Sequence, residues 1–365
     1  MIIGIDGNEA NLKQRVGVGQ YAFNLLTELS KLKNNNIYHI YLKNSPLPDM
    51  PLESKNWHYH VFGPNKLWTR LALPLHLYID RLKLDYFYSP SHYSPVFSPF
   101  PTIPTIHDLG YLDNLDQFTK KDAHQLVHWT KQSLKNAKKI MAVSEFTKSE
   151  LIRIYNIDPN KIAVVPNGVG KPILENNFQP VLNKFNITKP YFLCIGTLKP
   201  NKNIPFLITA FAKYIKNRVT LKLKLVIAGK KGWLFDDIFS TVKKEGIEDS
   251  IIFTDYISEK EKWELIQNTL ATVIPSTYEG FGIPAIESQK LGTPVIASNI
   301  PVFKEVLENT ALLVDPYDQK TLIKAFDDIQ NPRKRSELIK LGLKQSSKYT
   351  WVNSAKMFVE ALNNI

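Results

Sequence analysis

The segment "YEGFGIPAIE" places a Gly-Phe-Gly turn and a proline between two carboxylates, Glu279 and Glu287. Carboxylates only accept hydrogen bonds, so sugar or ribose hydroxyl groups are natural partners for them. Pro284 suits the first helical position, and the free N–H groups of a helix N-terminus attract phosphate. The pattern therefore predicts a site for hydroxyls and phosphate, although a helix cap with acids in its first turn explains it equally well.

A lysine in a second loop supports the binding interpretation. The stretch "GTLKPNKN" (196–203) follows the predicted strand "YFLCIG", much as the first segment follows the predicted strand "ATVIPS". In isolation Lys202 is a typical exposed turn residue. Because ligands bind at the carboxyl ends of strands in open parallel sheets, we expect Lys202 and the helix terminus to form half of a pyrophosphate clamp.

The elements that position these loops alternate along the whole chain. Short β-rich runs such as "IIGID" and "KIMAVS" are separated by helical periods such as "GQYAFNLLTELSKL". Strands separated by helices of this length favour parallel sheets with right-handed crossovers. The pattern is lost between 171 and 190, where Pro and Asn gather. We predict a Rossmann-like domain at 1–172, a linker at 173–190, a second Rossmann-like domain at 191–348 and a final helix at 349–365.

The composition limits the class of protein. At 365 residues the chain is long enough for two cores, and no apolar run approaches the length of a bilayer span. One cysteine, Cys194, excludes a disulfide framework and suits a cytoplasmic location. The net charge of +12 fits phosphorylated substrates or an anionic membrane face. No nucleic-acid recognition motif is visible, so we expect no nucleic acid partner.

Eight short motifs follow one another along the chain: "GVGQY" (17–21), "TIHDL" (105–109), "AVSEFTKSEL" (142–151), "VVPNGV" (164–169), "GTLKPNKN" (196–203), "LVIAGKKGW" (225–233), "PSTYEGFGIPAIES" (275–288) and "GTPVIAS" (292–298). In their order and spacing they resemble the motifs of the group 1 (family 4) glycosyltransferases of the GT-B fold. The resemblance covers nearly the whole chain. It implies two Rossmann-like domains with parallel sheets facing a cleft, and a C-terminal helix that crosses back to the N-terminal domain. It also implies transfer of a sugar from a nucleotide donor with retention of anomeric configuration, without a bound metal or cofactor.

The resemblance assigns most donor contacts to the second domain. Glu279 is similar to the acid that touches the donor sugar, and Glu287 to the acid that holds the ribose hydroxyls. Lys202 is similar to the phosphate lysine. The backbone amides after Gly280 resemble those that line the sugar and the pyrophosphate, and they belong to Phe281, Gly282 and Ile283.

Two residues of the first domain are also assigned by the resemblance. His107 is similar to the histidine that approaches the donor sugar, and Gly17 to the loop glycine that closes on the reacting centre. Closure of the domains about the linker is therefore expected on donor binding. Many relatives carry a basic residue where this chain has Asn201 or, in the donor-binding loop, Thr197. Phosphate neutralisation is then expected to depend more heavily on Lys202 and the helix terminus.

The motifs do not encode the sugar. The full pattern resembles enzymes that build bacterial surface polysaccharides, many of them mannosyltransferases. This favours mannose from GDP-mannose ahead of other GDP- or UDP-sugars. The expected acceptor is a glycan or a lipid-diphosphate-linked glycan. The basic surface would suit a peripheral contact with the inner face of the cytoplasmic membrane.

Other functions fit the sequence less well. "GVGQYA" matches a dinucleotide fingerprint but does not follow the first strand directly. Two histidine pairs, His58 with His60 and His124 with His128, have no evident third ligand, so no metal site is expected. An acyl hydrolase would need a Gly-x-Ser-x-Gly elbow, which is absent. A nucleotide-sugar-binding protein without turnover and a GT-B epimerase remain as alternatives. Release of free nucleotide in the presence of an acceptor would separate an enzyme from a binding protein.

Overall fold

The computed structural model describes residues 1–64, 67–80, 82–112, 120–173, 179–216, 218 and 222–365. The chain forms two compact units. The first comprises Met1–Gly168 together with Trp351–Ile365, and the second comprises Val169–Thr350. Each unit is built on one parallel β-sheet, with helices between most successive strands. The prediction of two Rossmann-like α/β domains is confirmed.

The first unit contains a seven-stranded sheet in the order β3-β2-β1-β4-β5-β6-β7. Strands such as β5, with the sequence "TIPTI", are buried at every position. Parallel sheets covered on both faces need such continuous apolar strands, which explains why these runs do not alternate with polar residues. The strands are β1 (Ile2–Asp6), β2 (Ile37–Leu42), β3 (Trp57–Val61), β4 (Tyr86–Ser89), β5 (Thr102–Ile106), β6 (Ile140–Ala142) and β7 (Ile162–Val164).

The helices of this unit begin with recognisable local signals. Gly17, at φ +45°, is the N-cap of the first helix. Ser144 caps the fourth, where its side chain accepts a hydrogen bond from the backbone N–H of Thr147. The helices are α1 (Val18–Lys31), a π-helical turn (Trp68–Ala72), α2 (Leu73–Ile79), α3 (Lys120–Asn136), α4 (Glu145–Tyr155) and a 3-10 turn (Pro159–Lys161).

The second unit contains a six-stranded sheet in the order β10-β9-β8-β11-β12-β13. The chain order reverses between β8 and β11, which are hydrogen-bonded neighbours. At such a reversal the loops after the two strands diverge, and ligands bind in the crevice between them. The strands are β8 (Tyr191–Ile195), β9 (Lys224–Ala228), β10 (Ile251–Asp255), β11 (Thr272–Ile274), β12 (Val295–Ser298) and β13 (Leu312–Val314).

Eight α-helices are described in the second unit. They pack on both faces of the sheet, around a core that includes Phe192, Phe211 and Phe326. The helices are α5 (Gln179–Lys184), α6 (Ile204–Lys216), α7 (Asp236–Glu245), α8 (Glu259–Asn268), α9 (Ile283–Lys290), α10 (Pro301–Leu307), α11 (Gln319–Gln330) and α12 (Pro332–Ser346), with 3-10 turns at Pro200–Lys202 and Glu248–Ser250.

The segment predicted as a linker, 173–190, differs from the expectation. The units divide at Gly168 and Val169, and the described part of the segment belongs to the second unit. Its helix α5 and the turn after it bury Val181, Leu182 and Ile187 in an apolar cluster with β8 and α8. The apolar residues of this Asn-rich stretch are too few to show a helical period, so the helix was not visible in the sequence.

The last helix, α13 (Trp351–Asn363), returns to the first unit, as predicted. It packs along α1, with the rings of Trp351 and Tyr21 5.7 Å apart. Phe358 lies against Tyr88 with 4.5 Å between ring centroids, so the helix completes the core of the first unit. Among the described residues, no helix combines the length and apolar character that crossing a bilayer would need.

Candidate functional site

Two loops of the second unit meet where its strand order reverses. The loop after β8 contains Lys202, and the loop after β11 contains Glu279. The backbone N–H of Thr277 donates to the carbonyl of Asn201 at 2.9 Å. The side-chain amide of Asn201 donates to the carbonyl of Tyr278 at 3.0 Å. Asn201, where relatives were expected to carry a basic residue, therefore joins the two loops.

Lys202 and Glu279 form a direct ion pair through Nζ and Oε1. The same carboxylate oxygen accepts a hydrogen bond from Ser276 Oγ at 2.8 Å. The two charged side chains are 17% and 14% exposed, so the pair is largely shielded from water. Electrostatic interactions at such a position are stronger than at an open surface. Two residues that the sequence assigned to one site are thus brought into contact.

Glycine at 196 shapes the space that Lys202 occupies. Gly196 has φ +150°, and a Cβ added to it would lie 3.2 Å from Lys202 Cε. Thr197 follows in the same loop, and its Cγ2 would lie 3.0 Å from a Cβ added at Gly232. The loop after β9 therefore packs closely against the loop that carries the lysine.

The helix start after Glu279 has the geometry of an anion site. Gly282 is the N-cap of α9 at φ +89°, and a Cβ added there would approach Phe303 Cε1 to 2.3 Å. The first N–H groups of a helix have no partner inside it and carry its positive dipole. Pro284 is the second residue of the helix rather than the first, because α9 begins at Ile283. Phe281 is 4% exposed, so this residue can offer a ligand its backbone but little of its ring.

Glu287 lies one turn inside α9 and is 5% exposed. Its carboxylate accepts a hydrogen bond from Lys262 Nζ at 2.6 Å, and Lys262 also pairs with Glu259 at 2.8 Å. Burial raises the pKa of Glu287, and the charge of Lys262 acts in the opposite direction. Lys262, on α8, was not identified from the sequence. Its stretch "EKEKWELIQN" shows only a charged helix, and no local signal indicates a partner on another helix.

In the first unit, His107 directly follows β5. Its Nε2 donates to the carbonyl of Pro90 at 2.9 Å, so the neutral ring has Nδ1 as its acceptor. Burial lowers the pKa of His107 to about 4, so the ring is neutral at pH 7. The ring of Tyr21 meets it edge-on at 4.6 Å, and the backbone N–H of Tyr21 donates to the carbonyl of Gly17 at 3.0 Å. His107 and the loop at Gly17 are thereby linked through the first turn of α1.

His92 is a further candidate in this unit. It follows β4, and its ring centroid lies 6.2 Å from that of His107. Burial lowers the pKa of His92, and its Nδ1 is buried without a hydrogen-bond partner among the described residues. The sequence "YFYSPSHY" could have indicated it, since it also places a histidine shortly after a strand.

Comparison with known proteins gives a consistent picture. Residues 176–345 match the family model for glycosyl transferases group 1, and residues 16–170 match the model for Glycosyltransferase Family 4. The chain is 28% identical over 283 residues to O-antigen chain mannosyltransferase B of Escherichia coli, covering 76% of this chain and 74% of that protein. It is 34% identical over 229 residues to O-antigen chain mannosyltransferase RfbU of Salmonella typhimurium, covering 62% of this chain and 60% of that protein.

A solved structure matches the whole chain. Sucrose-phosphate synthase from Thermosynechococcus elongatus superposes with a TM-score of 0.75 and 19% identity, covering 99% of this chain and 98% of the other. At this identity the match concerns the fold, and it supports the two-domain architecture described above.

Proposed function

Because the chain belongs to the group 1 glycosyltransferases of the GT-B fold, we propose that it transfers mannose from GDP-mannose to a growing surface glycan. The observation that carries this proposal is the meeting of two loops at the strand reversal of the second unit. They bring a lysine, a carboxylate and a helix N-terminus to one place. This set of groups suits a sugar linked to a diphosphate, which presents hydroxyls and negative charge together.

Each group has a role in the proposed reaction. Lys202 and the amides at the start of α9 hold the pyrophosphate and stabilise its charge as it leaves. Glu279 accepts hydrogen bonds from the donor sugar, and Glu287 accepts them from the ribose hydroxyls. Lys262 keeps the buried Glu287 charged and oriented for that purpose. Since Lys202 and Glu279 are paired to each other, donor binding exchanges part of their ion pair for contacts to phosphate and sugar.

The proposed transfer retains the anomeric configuration and uses no metal. The acceptor hydroxyl forms a bond to the anomeric carbon on the face from which the phosphate departs. The bond from that carbon to the phosphate oxygen breaks, and this oxygen takes the hydroxyl proton. His107, neutral and with Nδ1 as an acceptor, is suited to accept a hydrogen bond from a sugar hydroxyl.

Mannose is preferred because two relatives matched over most of this chain are mannosyltransferases by name. Both names also refer to O-antigen chains, so the proposed acceptor is a surface glycan, carried on a lipid diphosphate. A cytoplasmic location, with peripheral contact at the inner face of the membrane, would bring the enzyme to such an acceptor.

The described surface of the first unit supports that contact. An apolar stripe runs along the π-helical turn and α2, with side chains 53 to 69% exposed. The spacing of three or four residues places its members on one side of the helical segment. Such an apolar face, on a chain with a net charge of +12, suits a membrane with anionic lipids. The stripe consists of Leu67, Leu71, Leu75, Tyr78 and Ile79.

A thermal-unfolding panel with nucleotides and sugar nucleotides tests the proposal. A ligand that binds only the native state raises the melting temperature. We expect GDP and GDP-mannose to raise the melting temperature more than UDP or UDP-glucose does. A rise in melting temperature with UDP but none with GDP would mean that the donor is a UDP-sugar, and the proposed enzyme class would stand. No shift with any nucleotide would contradict the proposed site.

An assay for free nucleotide distinguishes an enzyme from a binding protein. GDP should be released from GDP-mannose only when acceptor-containing membranes are supplied. Binding of GDP-mannose without release under these conditions would favour a protein that has kept the pocket but lost turnover.

A further inference from the structure

A cluster of histidines around one aspartate lies in the first unit, on elements that contain none of the residues assigned to the donor. It contains His39 on β2, His60 on β3, and His76 and Asp80 at the end of α2. The sequence alone shows the pair His58 and His60 without a third ligand. The fold supplies the missing groups from a helix that follows about 16 to 20 residues later.

The elements hold these side chains in fixed positions. The backbone N–H of Asp80 donates to the carbonyl of His76 at 2.7 Å, so both side chains project from one helical turn. The ring of His76 stacks on Phe62 at 3.8 Å, and the ring of His60 stacks on Tyr41 at 4.8 Å. The imidazoles are thus oriented by packing against aromatic rings.

One carboxylate oxygen faces two ring nitrogens at distances too long for hydrogen bonds. Asp80 Oδ2 lies 3.9 Å from His60 Nδ1 and 3.7 Å from His76 Nε2. Two ligand atoms bound to one zinc-sized ion at about 2.0–2.2 Å are separated by about 3.3–3.6 Å. The ligand atoms of these three residues all lie within 4.8 Å of one another, so side-chain shifts of up to about 1 Å suffice to place them around an ion.

The hydrogen bonding of the rings also favours a cation between them. His76 Nε2 is buried and has no hydrogen-bond partner among the described residues. His60 Nε2 lies 2.8 Å from His39 Nδ1, so these two nitrogens share one proton. When His60 Nε2 donates, its Nδ1 presents a lone pair toward the carboxylate of Asp80. A metal ligand whose other ring nitrogen is hydrogen-bonded has the arrangement common around bound metals.

We propose that His60, His76 and Asp80 bind one divalent transition-metal ion of the zinc class, with His39 as the positioning residue. Two imidazoles and one carboxylate suit Zn²⁺, Co²⁺ or Ni²⁺ better than Mg²⁺ or Ca²⁺. The three ligand side chains are 21 to 33% exposed, so an ion reaches the site from solvent and water completes its coordination. The bound ion joins β3 to α2, the helix that carries the apolar stripe.

Calorimetric titration of untagged, chelator-treated protein with Zn²⁺ tests this site. We expect one equivalent to bind. His76→Ala and Asp80→Asn each lower the affinity by about 100-fold or more, and His39→Gln lowers it about tenfold. His76→Ala and Asp80→Asn should also lose the visible absorption of Co²⁺ bound to the wild-type protein. Circular dichroism and the melting temperature check that each variant remains folded.

The pair His124 and His128 provides a matched control, because their rings are stacked at 5.5 Å on α3 and, among the residues that the structure describes, they belong to no group of three metal-ligating side chains. The double change His124→Ala with His128→Ala should leave the zinc titration unchanged. If this change removes the binding, or if His76→Ala and Asp80→Asn bind Zn²⁺ as the wild type does, the proposed site is wrong. Absence of any Zn²⁺ binding by the folded protein would also overturn it.

Discussion

Lys202 and Glu279 lie 77 positions apart in sequence and touch in the structure, held by the loops that Asn201 joins. In the structure each side chain compensates the charge of the other. A partly buried charge without such a partner would destabilise the folded state. The same lysine offers three hydrogen-bond donors, so it can keep contact with Glu279 while binding phosphate. At the scale of single residues, the proposed site is an ion pair in which a bound diphosphate takes over part of the contacts of the lysine.

Replacing Lys202 by Ala tests the contribution of this cation to turnover. Loss of a group that stabilises the leaving phosphate should lower kcat by about 100-fold or more. A matched change, Lys213→Ala, removes a surface lysine of α6 that contacts Gln319 and should leave kcat unchanged. A rate near that of the wild type in Lys202→Ala would refute the assigned role.

The pKa of His107 predicts a pH dependence of stability. Its folded pKa of about 4 lies below the ordinary value of 6.5. A depressed histidine pKa contributes stability that is fully present above pH 6.5 and is lost as the pH falls toward 4. In His107→Gln, which keeps a donor for Pro90, the melting temperature should depend less on pH across this range. His124→Gln, at an exposed position, should retain the wild-type dependence. Equal dependence in both variants would contradict a buried neutral His107.

At the scale of elements, the periodic strands and helices could be predicted because each carries its own signal. Strand β1 and helix α1 appear within one or two residues of the predicted limits. The meeting of the loops that carry Lys202 and Glu279 could be predicted, because glycine, lysine and proline have specific roles after parallel strands. Two contacts could not be predicted, namely those of Lys262 with Glu287 and of Asp80 with His60. Each depends on packing between segments that are distant in the sequence. Helix α5 could not be predicted either. Its buried residues pack against α8 and show no helical period in the local sequence.

The turn into α9 makes a prediction about glycine. Gly282→Ala adds a Cβ that would lie 2.3 Å from Phe303 Cε1. It also places an alanine at φ +89°, a conformation that residues with a side chain rarely adopt. Overpacking and backbone strain together should lower the free energy of unfolding by about 2–4 kcal/mol, measured by urea titration. Gly246→Ala is a matched control, because it has φ +66° but nothing within 4 Å of the added atom. Gly246→Ala should lower the free energy of unfolding by less, since it adds backbone strain but no steric overlap. Equal costs would mean that the contact with Phe303 is unimportant.

At the scale of the whole molecule, the chain combines a net charge of +12 with the exposed apolar stripe of the first unit. Basic surfaces concentrate near anionic lipids, and exposed apolar side chains add binding by entering the headgroup region. The last helix returns to this unit and buries Trp351 and Phe358 in its core. The stripe is therefore carried by a unit that is built from both ends of the chain.

Sedimentation with phospholipid vesicles tests the membrane contact. We expect the protein to bind vesicles that contain phosphatidylglycerol more strongly than vesicles of phosphatidylcholine alone. Leu71→Ser with Leu75→Ser should reduce binding several-fold, because the area of buried apolar surface falls. Leu52→Ser, which changes a leucine that is 85% exposed outside the stripe, is the control. Unchanged sedimentation of the double variant would exclude the stripe as the contact.

The central claim is that the loops after β8 and β11 bind a nucleoside diphosphate. A crystal structure of the protein with GDP tests it most directly. The predicted complex has the diphosphate between Lys202 Nζ and the first amides of α9, with the ribose hydroxyls on Glu287. GDP bound elsewhere, with the contact between Lys202 and Glu279 unchanged and Glu287 without a ligand, would contradict the account.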